Sequence, residues 1–141
     1  MTAPNSARGR ANLRAGQQAM RLAVHWLRQN GAPDAAAVPH AHSSDVTGLG
    51  LVRAGIEVTI AGWDEIGKKA DQAASDAARR GLDRWCVWKP RRTAPGEPKR
   101  SYADAWCITT FGQWWADQQE LADLRNRLAV LTAAIGERAT S

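Results

Sequence analysis

The run Gly55-Ile56-Glu57-Val58-Thr59-Ile60 constrains this chain more than any other stretch. Ile56, Val58 and Ile60 alternate with Glu57 and Thr59, the period of a β-strand with one apolar face. An acid in such a strand is costly to bury unless a cation or a hydrogen-bond donor compensates. A second acid, Asp45, stands shortly before Gly48 and Gly50, in the stretch from His40 to Thr59. A strand, a tight turn and an antiparallel return would set Asp45 beside Glu57. Two carboxylates so placed make a hard oxygen site suited to Mg²⁺. The same residues also fit a plainer reading, with Asp45 capping a turn and Glu57 facing water.

Around that strand the chain reads as alternating helices and strands. Residues 1–11 are small, polar and basic and predict a disordered arm. A helix follows from about Asn12 to Gln29 and stops at Asn30-Gly31, a C-cap signal. Leu13, Met20, Ala23, Val24 and Leu27 fall on its core face, while Arg14, Arg21 and Arg28 make a basic ridge. An Ala/Pro connector leads to a short edge strand around Val38. His40 and His42 then form a His-x-His pair, which fits a metal site, a contact to substrate phosphate or polar loop filling. After Glu57, Asp64 is the expected N-cap of a helix from about Glu65 to Arg80 that ends at Gly81. Ile66, Ala70, Ala73 and Ala77 are its buried stripe, and Lys69, Gln72, Asp76 and Arg79 its polar one.

Arg84–Lys89 is an aromatic strand reached through that helix, so it should run parallel to the Glu57 strand. A basic Pro/Gly loop, 90–102, precedes a last strand at Ala105–Thr110 that pairs back as a hairpin. The fold class expected is α/β: a central mixed sheet flanked by helices, with a core over 12–116 and a C-terminal amphipathic helix over 117–141. In that helix Leu121, Leu124, Leu128, Leu131 and Ile135 are spaced three and four apart, a heptad seam that suits a homodimer contact or packing on the domain's own body.

Charge narrows the partner. The net charge is +5, and the first 33 residues carry five Arg and no acid. From Arg84 to Arg100 there are six basic residues against one acid, Glu97. Clustered positive charge points to a polyanion, above all nucleic acid, although a merely solvated basic surface has the same composition. Cys86 and Cys107 lie in apolar runs and read as reduced core thiols. Several of the seven Trp should belong to the core and the last helix. No apolar run reaches the ~20 residues of a membrane span, and the Arg-rich N-terminus has no apolar signal segment, so a cytoplasmic protein is expected.

Taken in order, these pieces resemble the PD-(D/E)xK nuclease superfamily, and within it the small Holliday junction resolvase-like nucleases of actinobacteria and their phages. The resemblance rests on His25-Trp26-Leu27-Arg28-Gln29-Asn30-Gly31, Ser44-Asp45-Val46-Thr47-Gly48-Leu49, Ile56-Glu57-Val58-Thr59, Trp63, and Val87-Trp88-Lys89-Pro90-Arg91-Arg92. It covers about residues 16–115. It implies a restriction-endonuclease-like fold and a site in which Asp45, Glu57 and the carbonyl of Val58 bind Mg²⁺ or Mn²⁺. It also implies a Lys two residues after the Glu, where this chain has Thr59, and an acid on the first helix, where the chain has Met20 with Gln17 and Gln18 nearby. Lys68, Lys69 or Lys89 is then expected to supply the missing charge, and Gln72 matches a positioning Gln of the superfamily. Arg14, Arg21, His40, His42, Arg91, Arg92, Lys99 and Arg100 would hold the phosphates of DNA, branched or otherwise distorted. The expected activity is metal-dependent endonucleolytic cleavage. The alternatives are a DNA-binding relative that does not cut, and a protein–protein or inhibitor module.

Overall fold

The computed structural model describes residues 3–38, 45–98 and 102–141, with backbone alone for 3–6. The chain forms two units, Met1–Ile108 and Thr109–Ser141. The first is a mixed α/β domain with a three-stranded sheet; the second is a single long helix.

Helix α1 spans Ala3–Gln29. It begins nine residues before the predicted start, so the arm expected to be disordered is helical from Ala3; Ala and Arg there are good helix formers. It ends where the sequence predicted. Asn30 N–H and Ala32 N–H both donate to Leu27 O at 3.1 and 3.0 Å, and Gly31 takes the left-handed φ of 109° that a C-cap requires. Ala19, Ala23 and Val24 are buried, and Met20 and Leu27 pack on the same core. Leu13 does not: it is 62% exposed, at the rim of a cleft it shares with Val38 and Val58. Arg14, Arg21 and Arg28 lie on the exposed face as expected, but Arg28 Nε donates to Ala35 O at 2.7 Å and so ties the helix to the connector.

A small ribbon follows, β1 (Ala36–Ala37) antiparallel to β2 (Val46–Thr47). The loop after β2 returns the chain to β3 (Ala54–Val58), which pairs in parallel with β4 (Arg84–Lys89); β4 pairs in antiparallel with β5 (Trp106–Ile108). The order β3-β4-β5, the parallel pair across a helix and the closing hairpin are those the sequence predicted.

Both faces of the sheet are covered. Ile56 and Val58 pack against Val24, Ala32, Ala35, Val46 and Leu49, on the α1 side. The opposite face, carrying Glu57, Thr59, Val87 and Lys89, meets helix α2 (Ile66–Arg79), whose Ala73 and Ala77 are buried. Glu57 therefore does not face water: it is 3% exposed. A helix of small residues can approach a sheet closely, and that closeness is what buries the acid.

Two details of α2 differ from expectation. Its entry is a 3-10 turn, Trp63–Glu65, and Asp64 makes no capping hydrogen bond, because Glu65 occupies the N-cap position. Asp76 is buried and pairs with Arg79, rather than lying on the polar stripe. The exit at Gly81, φ 65°, is as predicted, with Leu82 N–H closing on Ala77 O at 2.9 Å.

Gly48 is required by two constraints at once. Its φ is 74°, and a Cβ there would stand 2.0 Å from Asp34 O. Gly48→Ala should therefore unseat β2 and the adjacent Asp45, costing about 3 kcal/mol or more from clash and strain combined. A thermal or urea melt checks this, against Gly50→Ala, where φ is also positive but a Cβ meets nothing within 4 Å.

None of the seven Trp is fully buried. Cys107 is also exposed rather than core, and Cys86 is half-buried. The two thiols sit diagonally across β4 and β5. Hydrogen bonding from the Cys86 thiol holds Cys107 down at about 7, against an opposing push from burial, while Cys86 is pushed well up by the same contact. The prediction is that Cys107 alkylates first, with a rate midpoint near pH 7, and that Cys86→Ala moves that midpoint up by about one unit or more. Mass-mapped iodoacetamide labelling across pH reads it.

Helix α3 spans Phe111–Thr140 and is capped by Thr110, whose side chain accepts from Gln113 N–H at 3.2 Å. No residue of it is buried. Leu121, Leu124, Leu128, Leu131 and Ile135, the heptad seam, are all 40% exposed or more. Among the described residues no helix is long and apolar enough to cross a membrane.

Candidate metal centre

The site is assembled where β2 meets β3. Asp45 N–H donates to Ile56 O at 2.9 Å, and Asp45 Oδ2 accepts from Val58 N–H at 2.8 Å. The side chain of Asp45 is thus pinned against the edge of β3 and flanks Glu57. The two carboxylates sense each other: the charge of Asp45 raises the pKa of Glu57.

One cation reaches both. Lys69 Nζ, from the first turns of α2, lies 3.4 Å from Glu57 Oε1, and its charge also acts on Asp45. Even so, both acids titrate above their ordinary values. For Asp45 desolvation dominates, opposed by the Val58 N–H and by Lys69. For Glu57 desolvation dominates and Asp45 adds to it, with Lys69 opposing. A pair that is net negative, desolvated and only half compensated favours any additional positive charge.

A specific vacancy in bonding points the same way. Glu57 Oε2 is buried and has no hydrogen-bond partner among the described residues. Buried polar atoms are nearly always satisfied, so an unpaired carboxylate oxygen beside a second carboxylate is a candidate position for a ligand or a proton. Asp45, Glu57 and the adjacent main-chain carbonyl of Val58 offer an all-oxygen donor set, which fits Mg²⁺ or Mn²⁺ completed by water. Among the described residues no group of three or more His, Cys, Asp or Glu is placed to hold a metal ion.

Of the three Lys proposed from the sequence, Lys69 is the one brought to the acids. Lys68 points away, exposed and paired with Glu65 at 3.5 Å. Lys89 is buried on the same sheet face as Glu57, but it donates to Ala61 O and sits 5.6 Å from the centre of the Trp63 ring. Its pKa is lowered, by desolvation first and then by Arg92. Gln72 is exposed and bonds to neither acid among the described residues. Thr59 is buried, and its Oγ1 accepts from Ala61 N–H at 3.1 Å.

The basic residues divide. Arg21 and Gln17 line a cleft of about 640 Å³ whose far wall includes Val38 and Val58. Arg14 is exposed on the same helix, and Arg91 and Arg92 are exposed in the loop after β4. His40, His42, Lys99 and Arg100 lie outside the described residues. Sequence reasoning used Trp63 only as a point of resemblance and gave Trp106 no role; the strand register and the 3-10 turn bring the two together at 5.7 Å. Their distance along the chain hid this. No protein-family model matches the chain, and no curated protein or solved structure is similar enough to be matched to it.

Proposed function

We propose that this protein is a Mg²⁺-dependent endonuclease acting on DNA, with a restriction-endonuclease-like core. The observation that carries the reading is the pairing of half-buried Asp45 with buried Glu57, whose Oε2 has no partner among the described residues, beside the Lys69 ammonium. When bound, Mg²⁺ would polarise the scissile phosphate and lower the pKa of the attacking water. Asp45 and Glu57 hold that charge in place, and the Val58 N–H fixes the Asp45 rotamer. Lys69 supplies the positive charge that Thr59 does not, reaching the site from α2 instead of from β3. Arg14, Arg21, Arg91 and Arg92 attract the backbone without reading sequence.

A labelled four-way junction incubated with Mg²⁺ or with EDTA tests this. Nicking in Mg²⁺ alone supports the enzyme. The second reading, a DNA-binding relative that does not cut, is favoured by one observation: Thr59 occupies the motif Lys position and is turned inward. It predicts tight, salt-sensitive junction binding with no cleavage.

The same proposal includes a second copy of the chain at α3. No residue of α3 is fully buried, and isolated helices are marginal in water. A parallel pairing of the Leu seam buries those side chains and sets Glu120 against Arg125 of the other copy, one heptad on. Leu124→Arg with Leu128→Arg should convert a dimer to a monomer by light scattering; a native protein already monomeric at high concentration contradicts this part. A two-fold dimer presents two sites to two strands of one DNA branch.

A further inference from the structure

Two tryptophans at the end of the sheet have no part in the metal centre. Trp63 is 58% exposed and Trp106 is 44% exposed, and their rings meet edge to face at 5.7 Å. Tryptophan is usually well covered, so two half-bare rings held against each other are not explained by packing. Cations cling to both: the Arg91 guanidinium lies 4.7 Å over the Trp106 ring, and Lys89 Nζ lies 5.6 Å from the Trp63 centroid. Half-exposed rings with adjoining positive charge are the elements from which proteins build stacking sites for unpaired bases.

Placement links this cluster to the acids. Trp106 is the register partner of Lys89, and Glu57 is the partner of Val87, so Glu57, Lys89 and Trp106 share one face of three successive strands. Trp63 follows β3 directly. Two strand spacings across the sheet and two residues along it separate Trp106 from Glu57, about 12 Å between backbone positions. That is the reach of about two or three nucleotides of a single strand.

We infer that Trp63, Trp106 and Arg91 form a stacking platform for an unpaired base of a DNA strand, next to the Asp45–Glu57 pair. The inference rests on the nuclease reading and sharpens its substrate: a single-stranded segment at a branch or flap, rather than continuous duplex. The rings take the base, Arg91 continues the stack, and Arg92 faces the phosphates that follow.

Binding in EDTA isolates the platform from cleavage. Fluorescence anisotropy is measured with a labelled oligothymidylate of about 12 nucleotides and with a duplex of similar length, for the native chain, Trp63→Ala, Trp106→Ala and Trp106→Phe. The expected result is a loss of about 10-fold in single-strand affinity for each Ala variant, near-native duplex affinity, and recovery of most of the loss with Phe. Unchanged single-strand affinity, or equal losses on both DNAs, overturns the platform and leaves the nuclease reading standing. A native chain that binds neither DNA overturns both. Single-strand binding that follows the Trp variants, in a protein that never nicks with Mg²⁺, upholds the platform and overturns the nuclease.

Discussion

Glu57→Gln is expected, if the proposed function holds, to cut metal-dependent cleavage by about 10³-fold or more, because it removes one of the two carboxylates that would hold an ion contributing several kcal/mol to lowering the barrier. The substitution keeps the size of a side chain that is 3% exposed, so the loss cannot be assigned to a cavity. A second readout separates chemistry from folding. The native state binds a proton at Glu57 more tightly than the unfolded chain does, since the folded pKa lies above the ordinary 4.5. Native stability is then fully supported below that value and declines as pH rises through the folded pKa. Gln has no such decline, so the two melting curves should diverge upward from about pH 4.5. Mg²⁺ should stabilise the native protein at neutral pH, by about 2.7 kcal/mol at a hundredfold excess over Kd, and so raise its melting temperature, and should act much less on the variant. Equal Mg²⁺ effects on both would place the ion elsewhere.

Lys69→Met has the next largest expected effect, about 10²-fold on cleavage. Its ammonium is the cation that both acids feel, 3.4 Å from Glu57 Oε1. Without it the pKa of both carboxyls moves further up. The acid limb of the pH–rate profile should therefore shift to higher pH, a change that a merely structural lysine would not produce. The stability cost is smaller, about 1 kcal/mol, because the Lys69 side chain is 34% exposed and the pair is partly screened. Lys68→Met, which removes a charge exposed to solvent one residue away, is the matched control and should leave the profile in place.

What was legible in the sequence was local. The alternation through Ile56, Glu57 and Val58, the stop at Asn30-Gly31 and the exit at Gly81 are set by φ/ψ and by nearest neighbours, and the structure has each of them. The parallel pairing of β3 with β4 followed from the helix between them. The closeness of Asp45 to Glu57 followed from the turn between them, since only 12 residues of chain separate the two acids.

What was not legible depended on which elements cover which. The Ala stripe of α2 announced close packing, yet only the assembled sheet shows that it buries Glu57 and draws in Asp76. Lys68 and Lys69 are adjacent in sequence and differ only in helical phase: about 100° of rotation sends one to the acids and the other to solvent. Leu13 fits the apolar period of α1 but borders an open cleft and stays exposed. The Trp63–Trp106 contact joins residues far apart in the chain, and no spacing rule reveals it.

The most direct test of the central claim is an anomalous difference map from crystals of the full chain soaked in Mn²⁺. The account predicts a peak bonded to carboxylate oxygens of both Asp45 and Glu57 at about 2.1–2.4 Å, with the Glu57 oxygen that now lacks a partner among its ligands. A well-ordered pair with no peak between them, or a peak held by other residues alone, would contradict it.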